Sequence, residues 1–367
     1  MTGKPTLVSL ARELGVSRQT VSNAINAPDR VNPTTLARVR AAIDQSGYRP
    51  SRAGRQLRTR RSMNLAMRLY PATDGINGSV LDRFLHSLTD AAQRLGYRLT
   101  LFTAADDAGE IAAIDELLST VDIDGFVLTG THREDIRTAW LLRHDVPFVC
   151  FGRPWSTSDD PYDAPHPWVD VDGAASTAEA TRLLLDRGHD RIGFLGWPAG
   201  SGVGDDRRDG WLRTVRLAGS ADTDVDQLSV RVTDSVANGA VGGRELFSRG
   251  ATAVVCASDS LALGAFTAWR QSGADLSVGP AVIGFDDTPM AAAIGLSSVR
   301  QPIERAAAHA VDVLHHRLSD RAADEAPEPH LLLASTLVIR QTDPFLTSGE
   351  PASVRSAGIE THKEKVT

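Results

Sequence analysis

Cysteine is scarce in this chain: Cys150 and Cys256 stand far apart, each inside an apolar, strand-like run, "VPFVCFG" and "TAVVCAS". With no CxxC context they read as buried thiols, which speaks against a disulfide scaffold or a redox pair. Long hydrophobic runs are missing as well. None approaches the roughly 20 residues needed to span a bilayer. Polar residues break any signal-peptide core in "MTGKPTLVSLARELG", so no membrane association and a cytoplasmic address are expected. Lysine occurs three times against 36 arginines, a bias that points to a GC-rich genome. No nucleophile stands at useful spacing from a base and no placed pair of carboxylates is visible, so the sequence speaks against an enzyme. His315 and His316 are adjacent, hence on different helix faces; no metal site and no cofactor are expected. "GSGVG", residues 200–204, lacks the full GxGxxG spacing and precedes two aspartates that would repel phosphate.

What is present is divided unevenly. At 367 residues the chain exceeds one compact core and implies two or three domains. The net charge is −7, yet residues 1–61 hold twelve basic side chains against Glu13, Asp29 and Asp44, a balance of +9 that leaves −16 on the remainder. A basic segment joined to an acidic globule marks a polyanion-binding module beside a domain that does not bind polyanions, because phosphate neutralisation supplies most sequence-independent affinity.

The basic segment resolves into three helices. Thr6 can cap the first, over "LVSLAREL", and Gly15 ends it; Ser17 caps the second, "RQTVSNAI"; Asn32 and Pro33 open a third that Gly47 closes. Apolar residues from Leu7 to Ile43 supply one small core. The turn "LGVS" is too short for antiparallel packing and forces the sharp crossing of a helix-turn-helix, whose second helix can enter a major groove. Arg18 suits guanine and Gln19 adenine, with Asn23 four residues further along the same face. Ser17, Thr20, Ser22 and Asn26 offer short donors for phosphates, and Thr6 joins them as a DNA-contact candidate.

In "YRPSRAGRQLRTRRS", Arg52, Arg55 and Arg58 recur every three residues with Leu57 beside them. A helix of about eight residues containing Gly54 is marginal alone in water and forms only when something else stabilises it. Two such helices side by side on DNA would place paired leucines into a minor-groove step and kink it. A flexible basic tether is the alternative.

From Met63 the pattern alternates strands ("NLAMRLY", "RLTLFTA", "GFVLTG", "PFVCFG", "RIGFLGW", "LSVRVT", "TAVVCAS", "AVIGFD") with helices. Such units build parallel sheets covered by helices on both faces. The eight strands divide into two sheets near residues 154–168, and a ligand would lie beyond the carboxyl ends of their strands.

These motifs resemble the LacI/GalR family of bacterial transcription regulators. Thr6, Ala11, "GVS", "TVS", Asn26, Val31 and "GYRP" are similar to its headpiece and "SRAGRQLRT" to its hinge helix. "VDVDG", "LLLDRGHDRIGFLG", "DSLALGAF", "VIGFDDT" and "LSSVRQP" are similar to its core. The resemblance implies an N-terminal all-α helix-turn-helix headpiece on an α/β core of two parallel-sheet Rossmann-like subdomains, of the type I periplasmic-binding-protein-like kind. The division it suggests is headpiece 1–50, hinge helix 51–61, core 62–345 and a disordered tail 346–367. Within the core, one subdomain would take residues 62–160 and 288–320, the other 161–287 and 321–345.

The resemblance also implies a homodimer on a near-palindromic double-stranded operator, governed by a small effector. Carried across residue by residue, Arg207 and Asp286 are the effector contacts. Ser258 stands where many members have asparagine, and Gln301 lies near the cleft or serves the crossover. Val80 and Leu81 replace paired aromatics after the first strand, and Asp234 falls where some sugar-responsive members stack a ring. Tyr70, Phe84, Trp155 and Trp168 are therefore candidate stacking faces, with Tyr70 placed in the effector site. The expected function is a regulator, a repressor of carbohydrate-utilisation genes, released by a sugar or oligosaccharide. A purine co-repressor is the rival effector, and a sugar-binding protein or enzyme sharing the core is the rival class.

Overall fold

The computed structural model describes residues 5–48, 61–70, 78–155, 160–271, 281–319, 326–340 and 354–356. The chain divides into two compact units, Met1–Ser62 and Met63–Thr367.

In the first unit, helices α1 (Leu7–Leu14), α2 (Arg18–Asn26) and α3 (Pro33–Ser46) end where their caps dictate. Thr6 and Ser9 bond each other reciprocally, the Ser9 amide reaching the Thr6 hydroxyl at 3.1 Å and the Thr6 amide the Ser9 hydroxyl at 2.8 Å. Gly15 and Gly47 turn left-handed at φ 65° and 63°, and Ser17 accepts the Thr20 amide at 3.0 Å. Leu10, Ala11, Val21, Ala24, Val39, Ala42 and Tyr48 close a core shared by all three helices.

The second unit runs β1 (Asn64–Arg68), α4 (Ser79–Arg94), β2 (Arg98–Phe102), α5 (Asp107–Thr120), β3 (Gly125–Thr129), α6 (Ile136–Arg143), β4 (Phe148–Phe151) and β5 (Trp168–Val171). It continues through α7 (Gly173–Asp186), β6 (Ile192–Gly196), α8 (Gly202–Leu217), α9 (Asp222–Gln227), β7 (Ser229–Arg231), α10 (Val236–Ser248) and β8 (Ala253–Cys256). The remainder is α11 (Asp259–Gln271), β9 (Ala281–Phe285), α12 (Pro289–Ala293), β10 (Ser297–Arg300), α13 (Ile303–Leu318), β11 (His330–Leu333), β12 (Thr336–Val338) and β13 (Val354–Ser356).

The strands form two sheets, ordered β11-β5-β4-β3-β1-β2 and β13-β12-β10-β9-β8-β6-β7. All pairs are parallel except β10 with β12 and β12 with β13. The first sheet carries a core on each face. Leu65, Val127 and Val169 pack on α4 and α13, and Phe126, Phe148 and the fully buried Trp168 on the other side with α5 and α6. The second sheet is wrapped by one larger core around Phe194, Trp211, Val254 and Ile283. Both cysteines are buried free thiols in these cores.

Three differences from the sequence reading concern where lobes begin. Residues 161–171 stay with the first sheet, because β5 pairs with β4; the Pro- and Asp-rich stretch before it looks like a boundary and is an intra-sheet connection. Residues 288–300 belong to the second lobe, because β10 pairs with β9, and residues 330–333, expected in the second lobe, form β11 in the first sheet beside β5. The chain therefore crosses between lobes three times, after Val171, after Arg300 and after Leu333. A separate difference lies in the tail, where β13 adds antiparallel to β12 in a segment expected to lack structure.

Candidate functional site

Two surfaces carry the chemistry that the sequence singles out. On the first unit, Ser17, Arg18 and Gln19 at the start of α2 are exposed, and Thr20, Ser22 and Asn23 partly so. The i, i+4 spacing brings Gln19 and Asn23 together, the Gln19 amide donating to Asn23 Oδ1 at 2.9 Å, while the Ser17 and Thr20 hydroxyls lie 2.8 Å apart. Thr6 is engaged as the cap of α1. Arg52, Arg55, Leu57 and Arg58 lie outside the described residues, as does the side chain of Asn26.

In the second unit a cavity of about 250 Å³ lies between the two lobes, at the carboxyl ends of their parallel strands. The first lobe contributes Gly130, Thr131, Phe151, Trp155 and Asp170, and the first turn of α4 adds Val80 and Leu81. The second lobe contributes Trp197, Val203, Asp206, Arg207, Asp234 and Asp286, with Gln301 at a crossing.

Arg207 is buried, 5% exposed, on the inward face of α8. Its guanidinium lies 3.6 Å from the centre of the Phe285 ring and 5.2 Å from that of Trp197. One N–H donates to the Ala257 carbonyl at 2.5 Å, and Asp286 Oδ1 is 3.8 Å away. Nε is buried with no hydrogen-bond partner among the described residues. Burial draws its pKa down against the pull of Asp286.

Asp286 sits at φ 111° and Asp287 at φ 49°, two successive non-glycine residues in strained backbone. Their surroundings enforce it. The Asp286 amide bonds Val299 O at 2.8 Å, the Thr288 amide bonds Asp259 at 2.7 Å, and Arg340 clamps the Asp287 carboxylate at 2.5 Å. Asp286 thereby accepts Gln301 Nε2 at 2.7 Å. Burial pushes Asp286 up to about 8, Arg207 opposing and the neighbouring Asp259 and Asp234 reinforcing the rise.

Ser258 and Tyr70 do not line the cavity. Ser258 stands behind the wall, donating to Asp234 Oδ1 at 2.6 Å and accepting the Leu261 amide. Tyr70 donates to Thr129 O at 3.0 Å and accepts from Arg137 at 3.3 Å, with Arg68 over its ring at 4.3 Å. The buried guanidinium groups claim this phenol. Phe84 stacks on Phe151 and Trp168 is sealed in the core, so of the four candidate faces Trp155 reaches the cavity.

The sequence reading missed Trp197, Thr131, Asp170 and Asp206. Asp170 lies in the quoted motif "VDVDG", Trp197 ends the strand-like run "RIGFLGW", and Asp206 is one of the two aspartates after "GSGVG", but none of these was assigned to the cleft. Across the mouth, Arg153 of the first lobe meets Asp170 at 3.2 Å and Asp206 of α8 at 2.7 Å, the latter an ion pair without hydrogen-bond geometry.

Two other features were weighed. A hollow of about 390 Å³ at the amino end of β6 is larger, but its ionisable residues, Asp190 and Arg191, are not buried. Asp107, His132 and Asp135 offer ligand atoms within 4.8 Å of one another, a cluster not foreseen from sequence. The Arg137 guanidinium, 2.6 Å from Asp135 and 3.6 Å from Asp107, already neutralises it.

A family model matches within each of the two units. Residues 6–51 match the family described as bacterial regulatory proteins, lacI family, and residues 181–342 the periplasmic binding protein-like domain. The chain is 31% identical over 352 residues to the HTH-type transcriptional regulator CelR of Thermobifida fusca, covering 92% of this chain and 98% of that one. Among solved structures, a CelR–cellobiose complex is 27% identical with a TM-score of 0.65, covering 92% of this chain and 99% of the other. The lac repressor dimer bound to operator and anti-inducer, 22% identical with a TM-score of 0.72 over 93% of this chain and 99% of that one, shares the fold.

Proposed function

The chain belongs to the lacI family of bacterial regulatory proteins, and from that premise we propose that it represses carbohydrate-utilisation genes and leaves a near-palindromic operator when a sugar or oligosaccharide occupies the cleft. It is a DNA-binding transcriptional regulator, as its relatives are, and not an enzyme. The observation that carries the effector reading is Arg207. A buried guanidinium with one bond to the chain, an orphan Nε and an aspartate 3.8 Å away is built to clamp hydroxyls by charge-assisted hydrogen bonds. The CelR–cellobiose complex supports a saccharide as the ligand class.

In the mechanism, a homodimer spaces two headpieces about one helical turn apart, roughly 34 Å. Arg18 and Gln19 read base edges; Ser17, Thr20 and Ser22 hold phosphates. The segment 51–61, with Arg52, Arg55, Leu57 and Arg58, couples the core to the DNA. A sugar shifts operator affinity only by its differential affinity for two arrangements of the lobes. No helix among the described residues is long and apolar enough to cross a membrane.

Selection of binding sites from random duplexes, repeated with candidate sugars and purines, tests the proposal. A palindromic consensus whose retention falls with a sugar is expected. A rise in affinity with a purine would make the protein co-repressor-dependent and overturn the sugar reading.

A further inference from the structure

We infer that the cleft selects neutral saccharides offering an apolar ring face and turns away phosphorylated and acidic sugars; this rests on the effector reading above and narrows it. Asp170, Asp206, Asp234 and Asp286 all stand on the wall. Two guanidinium groups meet them: Arg207, and Arg153 shared between Asp170 and Asp206. Burial holds a proton on Asp286 up to about pH 8, so near neutral pH Asp170, Asp206 and Asp234 set the sign of the wall against Arg207 and Arg153. An entering phosphate or carboxylate would face more charge of its own sign than of the opposite one.

The backbone gives an anion little help. Helix N-termini are the usual alternative to basic side chains, and here the chain's own side chains already take one or two amides of each. Asp172, Ser201, Ser235 and Ser258 each accept a first-turn amide of α7, α8, α10 and α11, the helices that follow β5, β6, β7 and β8. Asp206 takes a further one, the Ala174 amide at 2.9 Å. Helix α4 begins at Gly78, which has no side chain to cap it, so its amides can serve a hydroxyl, while Asp82 in the same turn opposes an anion.

Aromatic surface supplies the complementary attraction. Trp155 comes from one lobe and Trp197 from the other, both partly buried on the wall. Trp155 is held by its Nε1–H bond to Thr131 at 3.1 Å and by Gly202, where a Cβ would come within 2.3 Å of the indole. Trp197 presents a buried Nε1–H with no partner among the described residues. Apolar plates with a polar rim match a pyranose, which shows C–H groups on its faces and hydroxyls at its edges.

The test is calorimetry and thermal melting of the full chain with a panel of neutral mono-, di- and trisaccharides, including cellobiose and maltose, beside glucose 6-phosphate and glucuronate. At least one neutral sugar should raise Tm, and neither anion should do so at about 100-fold higher concentration. Trp155→Ala should weaken the neutral sugar at least tenfold. Gly202→Ala removes no wall group and displaces the indole, so it should weaken binding in the same direction; if it does not fold, Trp197→Phe, which keeps a ring and loses the donor, replaces it. Binding of glucose 6-phosphate as tight as that of the neutral sugars, or sugar binding untouched by these substitutions, overturns the inference and leaves the regulator standing. A panel in which no sugar of either kind binds removes the sugar-effector reading itself.

Discussion

Arg137 in the first lobe and Arg207 in the second are both buried arginines, yet they are treated in opposite ways. Arg137 uses all three of its nitrogens, donating to Asp135, Glu110, Tyr70 and the carbonyls of Thr129 and Gly130. Burial pulls its pKa down, but Asp135 and Glu110 more than offset that and hold it raised. Among the described residues Arg207 makes one such bond, and it stacks on Phe285 and keeps its pKa lowered. A saturated guanidinium is a structural rivet; a starved one suits the effector contact proposed for Arg207. Buried polar groups left unpaired cost free energy, so their persistence at a cleft wall points to a partner that arrives from solution.

The sharpest way to break this contrast is to remove the rivet. Arg137→Met strands Asp135 and leaves Glu110 with Arg68 as its remaining ion pair, so stability should fall by about 3–5 kcal/mol in denaturant titrations. Arg207→Leu should cost about 1.5–3 kcal/mol of effector affinity in calorimetry. Its unliganded melting temperature should fall much less than that of Arg137→Met, because a single bond to Ala257 and a 3.8 Å contact with the proton-bearing Asp286 are lost. If Arg207→Leu destabilises as much as Arg137→Met, the two arginines do the same job and the contrast is wrong. Arg18, exposed at the start of α2, extends the comparison to a third environment. Arg18→Ala should cost about 1–3 kcal/mol at one operator base pair, and an equal loss on every sequence would make it a phosphate contact.

The smallest effect concerns pH. Asp286, pushed up to about 8 by burial, keeps a proton in the folded state that an unfolded aspartate, near 3.9, releases. Its contribution to stability is therefore complete below about pH 4 and is lost as the pH rises towards 8. Asp170 and Asp259, both raised to about 6 mainly by burial, act over the lower part of that range. Asp286→Asn should flatten the ligand-free stability profile between pH 6 and 8 by on the order of 1 kcal/mol, read as melting temperatures at the two pH values. An unchanged slope would show that Asp286 does not carry it.

Local signals were legible and long-range ones were not. Thr6, Gly15, Ser17, Asn32 and Gly47 announce helix ends because capping is decided within four residues, and the helices end there. The strands rich in Val, Ile and Phe declare themselves by hydrophobic pattern. Strand β10, "SSVR", and the short β11 and β12 do not, because their partners, not their composition, make them strands. That is why residues 288–300 and 330–333, like 161–171 with its strand β5, were assigned to the opposite lobes. In the cleft, Arg207, Asp286 and Gln301 could be read from motifs. Trp197 and Asp206 also lie in runs the sequence singles out, but their place on the wall depends on first-lobe residues distant in sequence, Arg153 in the case of Asp206. Tyr70 and Ser258 were assigned to the wall because sequence cannot reveal that Arg137 and Asp234 already hold their hydroxyls.

The triple passage of the chain between lobes also sets how occupancy can be felt. Three ties side by side resist sliding and leave bending as the soft motion. Two of them are laced together, the Asp172 amide to Leu333 O at 2.9 Å and the Ser176 hydroxyl to that of Ser335 at 2.6 Å. Gln301 lies on the remaining tie while its amide grips Asp286. A ligand seated there pushes beside the fulcrum, where the least displacement becomes the widest swing at the far ends of both bodies.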